Sequence, residues 1–154
     1  MKAVIQRVKS ASVEVNGNIV GSCENGYMIL FGAAKGDTKD DVDILARKTA
    51  GLRVFCDKNN KMNKSILEIG GEVLVISQFT LCADVKKGNR PSFIEALEPE
   101  KASELYDMYC EKLLALGIKR VEKGVFGADM KVSLINDGPV TIIFDTEIWR
   151  KNGN

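Results

Sequence analysis

Ser77-Gln78-Phe79-Thr80 sets two hydroxyls and an amide where an apolar run, Val73 to Ile76, meets a polar stretch. Such a strand end is a natural rim for a pocket, and its hydroxyls could attack a carbonyl or orient a bound group. The chain has no histidine. The general acid–base side chain usual near neutral pH is therefore missing, and a Ser-His-Asp triad is impossible. A lysine or carboxylate could activate Thr80 instead, and equally Ser77 and Thr80 could do no more than cap the strand end. Spacing leaves both readings open. Shortly after, Lys86, Lys87 and Arg90 place three positive charges within five positions. Such a run is either a solvated loop or a set of phosphate contacts that positions a polynucleotide without reading its bases. Its place beside the pocket rim favours phosphate contact.

Late in the chain, Asp137-Gly138-Pro139 interrupts a run of strand formers, "NDGPVTIIFDT". A trans turn is the ordinary state of an X–Pro bond. In cis, the pair would fix the direction of its carbonyls with no side chain in the way on glycine, which would make a rigid steric gauge. Sequence alone does not choose between them. Two other stretches fail as sites. "DKNNKMNKSILE", residues 57–68, has the oxygens of a calcium loop but puts Lys61 at a ligand position and Met62 where the sharp turn needs glycine, so a polar hairpin turn is expected. "GAAKGDTK" lacks the spacing that cradles a triphosphate. Cys23, Cys56, Cys82 and Cys110 form no C-x-x-C pair, so buried or half-buried free thiols are expected and no metal site.

The elements that must position these groups follow from periodicity. "AVIQRVKSASVEVNGNIVGSCENGYMILFGAA" alternates like three strands, with Asn16-Gly17 and Asn25-Gly26 as hairpin turns, which predicts a meander. Val42, Leu45, Ala46 and Thr49 then recur at helical spacing, with Thr38 as N-cap and Gly51 as stop, before a short strand over residues 52–56. The run from Val73 is apolar almost throughout and predicts a central strand buried on both faces. Pro99 opens a second helix with an inward stripe of Ala102, Leu105, Tyr109, Leu113 and Leu116, ended by Gly117. Two last strands, near residues 131–136 and 140–146, flank the Gly-Pro pair. The expected fold is one α+β domain over residues 1–154, with a mostly antiparallel sheet and two main helices.

Composition is that of an ordinary globular chain, 45% hydrophobic and 28% charged. A net charge of only +1 argues against a general polyanion binder but leaves room for a local basic patch. No apolar run approaches membrane-spanning length and no secretion signal opens the chain, so a cytoplasmic protein is expected.

Three stretches, "SQFTL", "KKGNRPSF" and "FGADMKVSLINDGPVT", together resemble the D-aminoacyl-tRNA deacylase family, which strips D-amino acids from mischarged tRNA. The likeness also takes in "AVIQRVKSASVEV" and "DILARKTAGLRVF" and runs to about Thr146, leaving residues 147–154 as a short extension. It implies a curved, barrel-like sheet and a homodimer in which Gly138 and Pro139, in cis, enter the partner's pocket and exclude L-amino acids. It implies that the terminal adenosine lies along Ser77, Gln78, Phe79 and Thr80, with Phe126 and Met130 on the adenine side and Arg7 supporting the Gly-Pro loop. It further implies tRNA as partner, no cofactor, no membrane and no DNA. Ester cleavage would be assisted by the substrate's own ribose 2′-hydroxyl, with Thr80 as nucleophile the alternative. A silent tRNA-end binding module and a general esterase are the competing functions. Cys82 stands where the family often has an aromatic residue. Trp149 and Arg150, in the extension, are expected to cover the dimer surface or to trail freely.

Overall fold

β1 (Lys2–Val15) is the spine of the molecule. The computed structural model describes residues 1–150; residues 151–154 of the extension lie outside the described residues. At 14 residues β1 is more than twice the usual strand length of about 5–6. One edge of it pairs antiparallel with β8 (Lys131–Asp145) from Lys2 to Glu14. The opposite edge is shared: β3 (Gly26–Gly32) pairs with its first half and β2 (Asn18–Cys23) with its second.

That sharing corrects the expected meander. Asn16 and Gly17 do make a hairpin turn, with φ of 50° and 81°. Asn25-Gly26 does not. β2 and β3 both run antiparallel to β1 along the same edge, so they are successive pieces of one path broken at Glu24 and Asn25. Gly26 serves close approach instead: a Cβ there would sit 1.8 Å from the Glu72 carbonyl oxygen. Its bare backbone lets β6 (Glu72–Ser77) lie alongside β3 in parallel register.

β7 (Arg120–Lys123) pairs in parallel with β6, and the sheet curls until β2 nears β7. A Cβ on Gly21 would meet the Lys123 carbonyl oxygen at 2.6 Å. The result is the expected α+β fold, a mostly antiparallel and nearly closed barrel-like sheet with two main helices. Two apolar clusters fill it. Val8, Ala11, Val13, Cys23, Met28, Leu74 and Ile76 pack within the curl. On the other face, Ala3, Ile5, Tyr27, Ile29, Phe31, Val73 and Val75 meet the helices. β6 thus faces apolar neighbours on both sides, the physical reason for its unbroken hydrophobic run.

α1 (Lys39–Gly51) starts at a Thr38 capping box and buries Val42, Leu45, Ala46 and Thr49, as the periodicity predicts. α3 (Pro99–Ala115) has Pro99 in its first turn and buries Ala102, Leu105, Tyr109 and Leu113, with Tyr106 and Cys110 beside them. The segment weighed against a calcium loop is a hairpin between β4 (Arg53–Cys56) and β5 (Met62–Ser65). The Asp57 carboxylate accepts the amides of Asn59 at 2.8 Å and Lys61 at 3.1 Å across its turn. Glu68, at the twelfth loop position, instead accepts the Ser65 amide and caps the one-turn α2 (Ile66–Ile69).

Cys23, Cys82 and Cys110 are buried as expected, whereas Cys56 is exposed, because it ends a short strand of a surface hairpin. Trp149 and Arg150 do not trail. Trp149 meets Phe144 edge to face at 5.2 Å, and Arg150 Nε donates to Asp41 Oδ1 at 3.1 Å, which docks the segment on the start of α1.

Candidate active site

β3 and β6 end side by side, and there the chain changes course. The Gln78 amide still donates to the Phe31 carbonyl at 2.7 Å, but β6 stops at Ser77. The strand thus ends at the expected rim, and Phe79–Cys82 is a single 3₁₀ turn folded over Gly32. A Cβ on Gly32 would meet the Gln78 oxygen at 2.9 Å and Leu81 Cβ at 3.1 Å, so the turn needs that glycine beneath it. Its opening amides, those of Phe79 and Thr80, precede the turn's first hydrogen bond, from Leu81 N to the Gln78 oxygen.

Beneath this turn lies a cavity of about 250 Å³. Ser77, Gln78 and Phe79 form one wall, and Phe126 and Met130 stand on another. Phe31 from β3, Ala102 from α3 and Val132 from β8 complete it. Phe126 is backed by the Tyr106 ring at 6.0 Å, and the Tyr106 hydroxyl is itself fixed on the Val75 carbonyl at 2.7 Å. Five of the residues singled out from sequence are therefore brought together. Asp129 is the one ionisable side chain in the lining; it is exposed and held by Lys131 Nζ at 3.1 Å. No thiol lines the cavity. Burial pushes Cys23 up to about 11 and Cys110 up to about 12, and it also raises Cys82, so these groups stay protonated near neutrality.

Thr80 lies outside the lining. It is exposed, and its hydroxyl accepts from Gln78 Nε2 at 2.5 Å. The basic residues sit on an arm. Asp84 and Ser92 exchange backbone hydrogen bonds of 2.8 and 2.9 Å, which closes off the loop between them and leaves Lys86, Lys87 and Arg90 exposed on it.

Gly138 and Pro139 are elsewhere. The expected pair of final strands is one strand with a bulge: Val8 faces Asn136 and Gln6 faces Thr141, so residues 137–140 loop out opposite Arg7. Gly138-Pro139 is cis and both residues are exposed. Arg7 Nε donates to the Asp137 carbonyl at 2.9 Å while Nη1 donates to the Val54 carbonyl at 2.5 Å. Across the neck of the bulge, Asn136 Oδ1 accepts the Val140 amide at 2.9 Å and Nδ2 donates to Thr141 Oγ1 at 3.0 Å. Gly138 has φ of 136°, and a Cβ there would meet Val140 Cγ2 at 2.9 Å. The bulge does not line the cavity of its own chain.

Sequence reasoning missed Asn136 as the strap, although it stands in the quoted motif two positions before the glycine. It also missed Ala102 and Phe31, which read only as core and carry no other signal.

The fold and cavity define a class: barrel-like α+β proteins with a largely apolar cavity beneath the turn that ends β6. The comparisons place the chain within it. It belongs to the D-Tyr-tRNA(Tyr) deacylase family, whose model matches residues 4–145. A D-aminoacyl-tRNA deacylase of Phocaeicola vulgatus is 55% identical over 148 residues, covering 96% of this chain and 98% of the relative. One from Clostridium tetani is 52% identical over 147 residues with the same coverage. A solved structure described as a c-Myc DNA unwinding element binding protein superposes with a TM-score of 0.89 at 40% identity, covering 94% of this chain and 98% of that one.

Proposed function

We propose that this chain hydrolyses the ester bond of D-aminoacyl-tRNA, releasing free D-amino acid and tRNA. The observation that carries the proposal is the cavity itself, in which Ser77, Gln78 and Phe79 of one family-matching segment meet Phe126 and Met130 of another. Its one ionisable side chain among the described residues, Asp129, is exposed and held by Lys131. The terminal adenosine occupies it, with Phe126 and Met130 on the adenine side and the main chain of Ser77 and Phe79 along the ribose. Water attacks the ester carbonyl carbon and the bond from that carbon to the ribose 3′-oxygen breaks. The adjacent 2′-hydroxyl takes the proton that water loses and returns one to the departing 3′-oxygen. The amides of Phe79 and Thr80 steady the transient oxyanion. Holding ester and relay in line supplies much of the remaining acceleration.

In this reading, handedness is judged by Gly138 and Pro139 of a second copy, inserted into the cavity. Their exposure, their distance from their own chain's cavity and their fixing by Arg7 and Asn136 support a homodimer. A gauge that touches main-chain atoms accepts many D side chains while a clash rejects L ones. Achiral glycine passes such a filter, so glycyl-tRNA is a second substrate. Nucleophilic attack by Thr80 ranks lower, because among the described residues its hydroxyl meets an amide and no base. The whole chain acts as one cytoplasmic domain.

The test follows ester loss from D-tyrosyl-tRNA and L-tyrosyl-tRNA with one preparation. Release from the D ester alone is expected. Binding without D-selective release would favour an acceptor-end binding module, and cleavage of simple esters lacking RNA would favour a general esterase. Inhibition by single-stranded DNA at lower concentration than uncharged tRNA would favour the DNA ligand in the name of the 40% identical relative.

A further inference from the structure

Phe79 and Phe93 stand at the mouth of the cavity, 56% and 37% exposed, their rings meeting edge to face at 5.2 Å and 77°. Phe79 lines the cavity and Phe93 does not, so Phe93 is the first aromatic surface outside it. Its backbone is fixed on both sides. The Asp84–Ser92 bridge ends one residue before it, and after it the Ala96 amide donates to the Phe93 carbonyl at 3.1 Å as Ala96 bridges to Ala34. An edge-to-face pair leaves ring faces open to a third planar group. Phe93 directly follows the Asp84–Ser92 bridge that closes the arm carrying Lys86, Lys87 and Arg90. The one acid among residues 82–92, Asp84, is turned onto the Lys86 amide at 2.9 Å.

Open aromatic faces beside a row of cations are how single-stranded nucleic acids are held without base-specific hydrogen bonds. We propose that Phe93, braced by Phe79, is a stacking platform for the nucleobase preceding the terminal adenosine, and that the basic arm holds the phosphates beyond it. The inference rests on the function proposed above and lengthens the bound RNA by one nucleotide. It also fixes the character of that contact: the base is stacked upon and its identity matters little.

The experiment is a cycle of protein and substrate changes. D-tyrosyl-tRNA is compared with the same tRNA carrying an abasic site in place of the base before the terminal adenosine, on wild type, Phe93→Ala and Phe93→Trp. Loss of one stack is expected to raise KM on the order of tenfold with kcat little changed, whether the ring or the base is removed. Removing both should cost no more than removing either, and Phe93→Trp should keep the wild-type KM. Losses that multiply, or no loss on removing the base, would overturn the platform. So would a Phe93→Ala effect that tracks a change from dimer to monomer in native mass. If wild type releases neither ester, the proposed function has failed and not this extension of it.

Discussion

Replacing Arg7 with lysine probes how the Gly138–Pro139 bulge is held. One guanidinium spans two backbones, with Nε on the Asp137 carbonyl at 2.9 Å and Nη1 on the Val54 carbonyl at 2.5 Å. It thereby ties the root of the bulge to β4. Lysine has one ammonium on a flexible stem and cannot reproduce the planar fork. At least one charge-assisted hydrogen bond is lost, worth about 1.5–3 kcal/mol. That corresponds to roughly a 10- to 150-fold change in an equilibrium. Lys9 Nζ, 3.5 Å from the Asp137 carboxylate, remains to hold the side chain but offers nothing to the carbonyls. If the bulge is the gauge of handedness, the loss appears as discrimination. The ratio of kcat/KM for D-tyrosyl-tRNA over L-tyrosyl-tRNA should fall by about tenfold or more, chiefly because the L ester gains access. The assay is single-turnover ester loss on both substrates, paired with a thermal melt. A lowered melting temperature with an unchanged ratio would refute the reasoning, as would D and L activities lost in parallel.

Thr80→Val removes a hydroxyl whose partner is the Gln78 amide, so kcat on the D ester should change by no more than about threefold, the worth of one exposed hydrogen bond; a nucleophile would cost on the order of a thousandfold or more. Stability should fall in acid through Asp41. Burial raises its pKa, but the Thr38 amide and the hydrogen bonds from Arg150 and Thr146 outweigh this and hold it below the ordinary carboxylate value. A folded value below the unfolded one of about 3.9 means the stabilisation is complete above that pH and lost as pH falls through the folded value. The melting temperatures of wild type and Asp41→Asn should therefore converge as pH drops below about 4, and a constant gap would contradict the assignment.

Local periodicity carried most of the fold. The two helices, the Thr38 cap of α1 and the doubly buried β6 follow from spacing and from single residues such as Thr38, Pro99 and Gly117. Gly51, expected as a stop, is instead the last residue of α1, and Leu52 caps it. The meander was misread because Asn25-Gly26 looks like a turn, while the fact that decides its path, the close approach of Glu72 to Gly26, joins residues far apart in sequence. The 3₁₀ turn after β6 was not legible for a similar reason, since Gly32, on another strand, is what lets it fold back. At the site, polar and aromatic residues clustered in short motifs were legible. Wall residues such as Phe31 and Ala102 were not, because an apolar side chain facing a cavity and one facing a core look alike in a sequence. Arg7 was legible only through the family resemblance. Its two carbonyl partners lie 47 and 130 residues away and no local pattern announces them.

The central claim is that the chain supplies shape and backbone donors while the substrate supplies the proton relay. The measurement that bears on it most directly uses D-tyrosyl-tRNA whose terminal ribose has hydrogen in place of the 2′-hydroxyl, with the amino acid on the 3′-oxygen, at saturating enzyme. Single-turnover ester loss should drop to nearly the uncatalysed rate although the RNA still binds and competes with unmodified substrate. Cleavage within a few-fold of the unmodified rate would contradict the account and return the chemistry to a side chain of the protein.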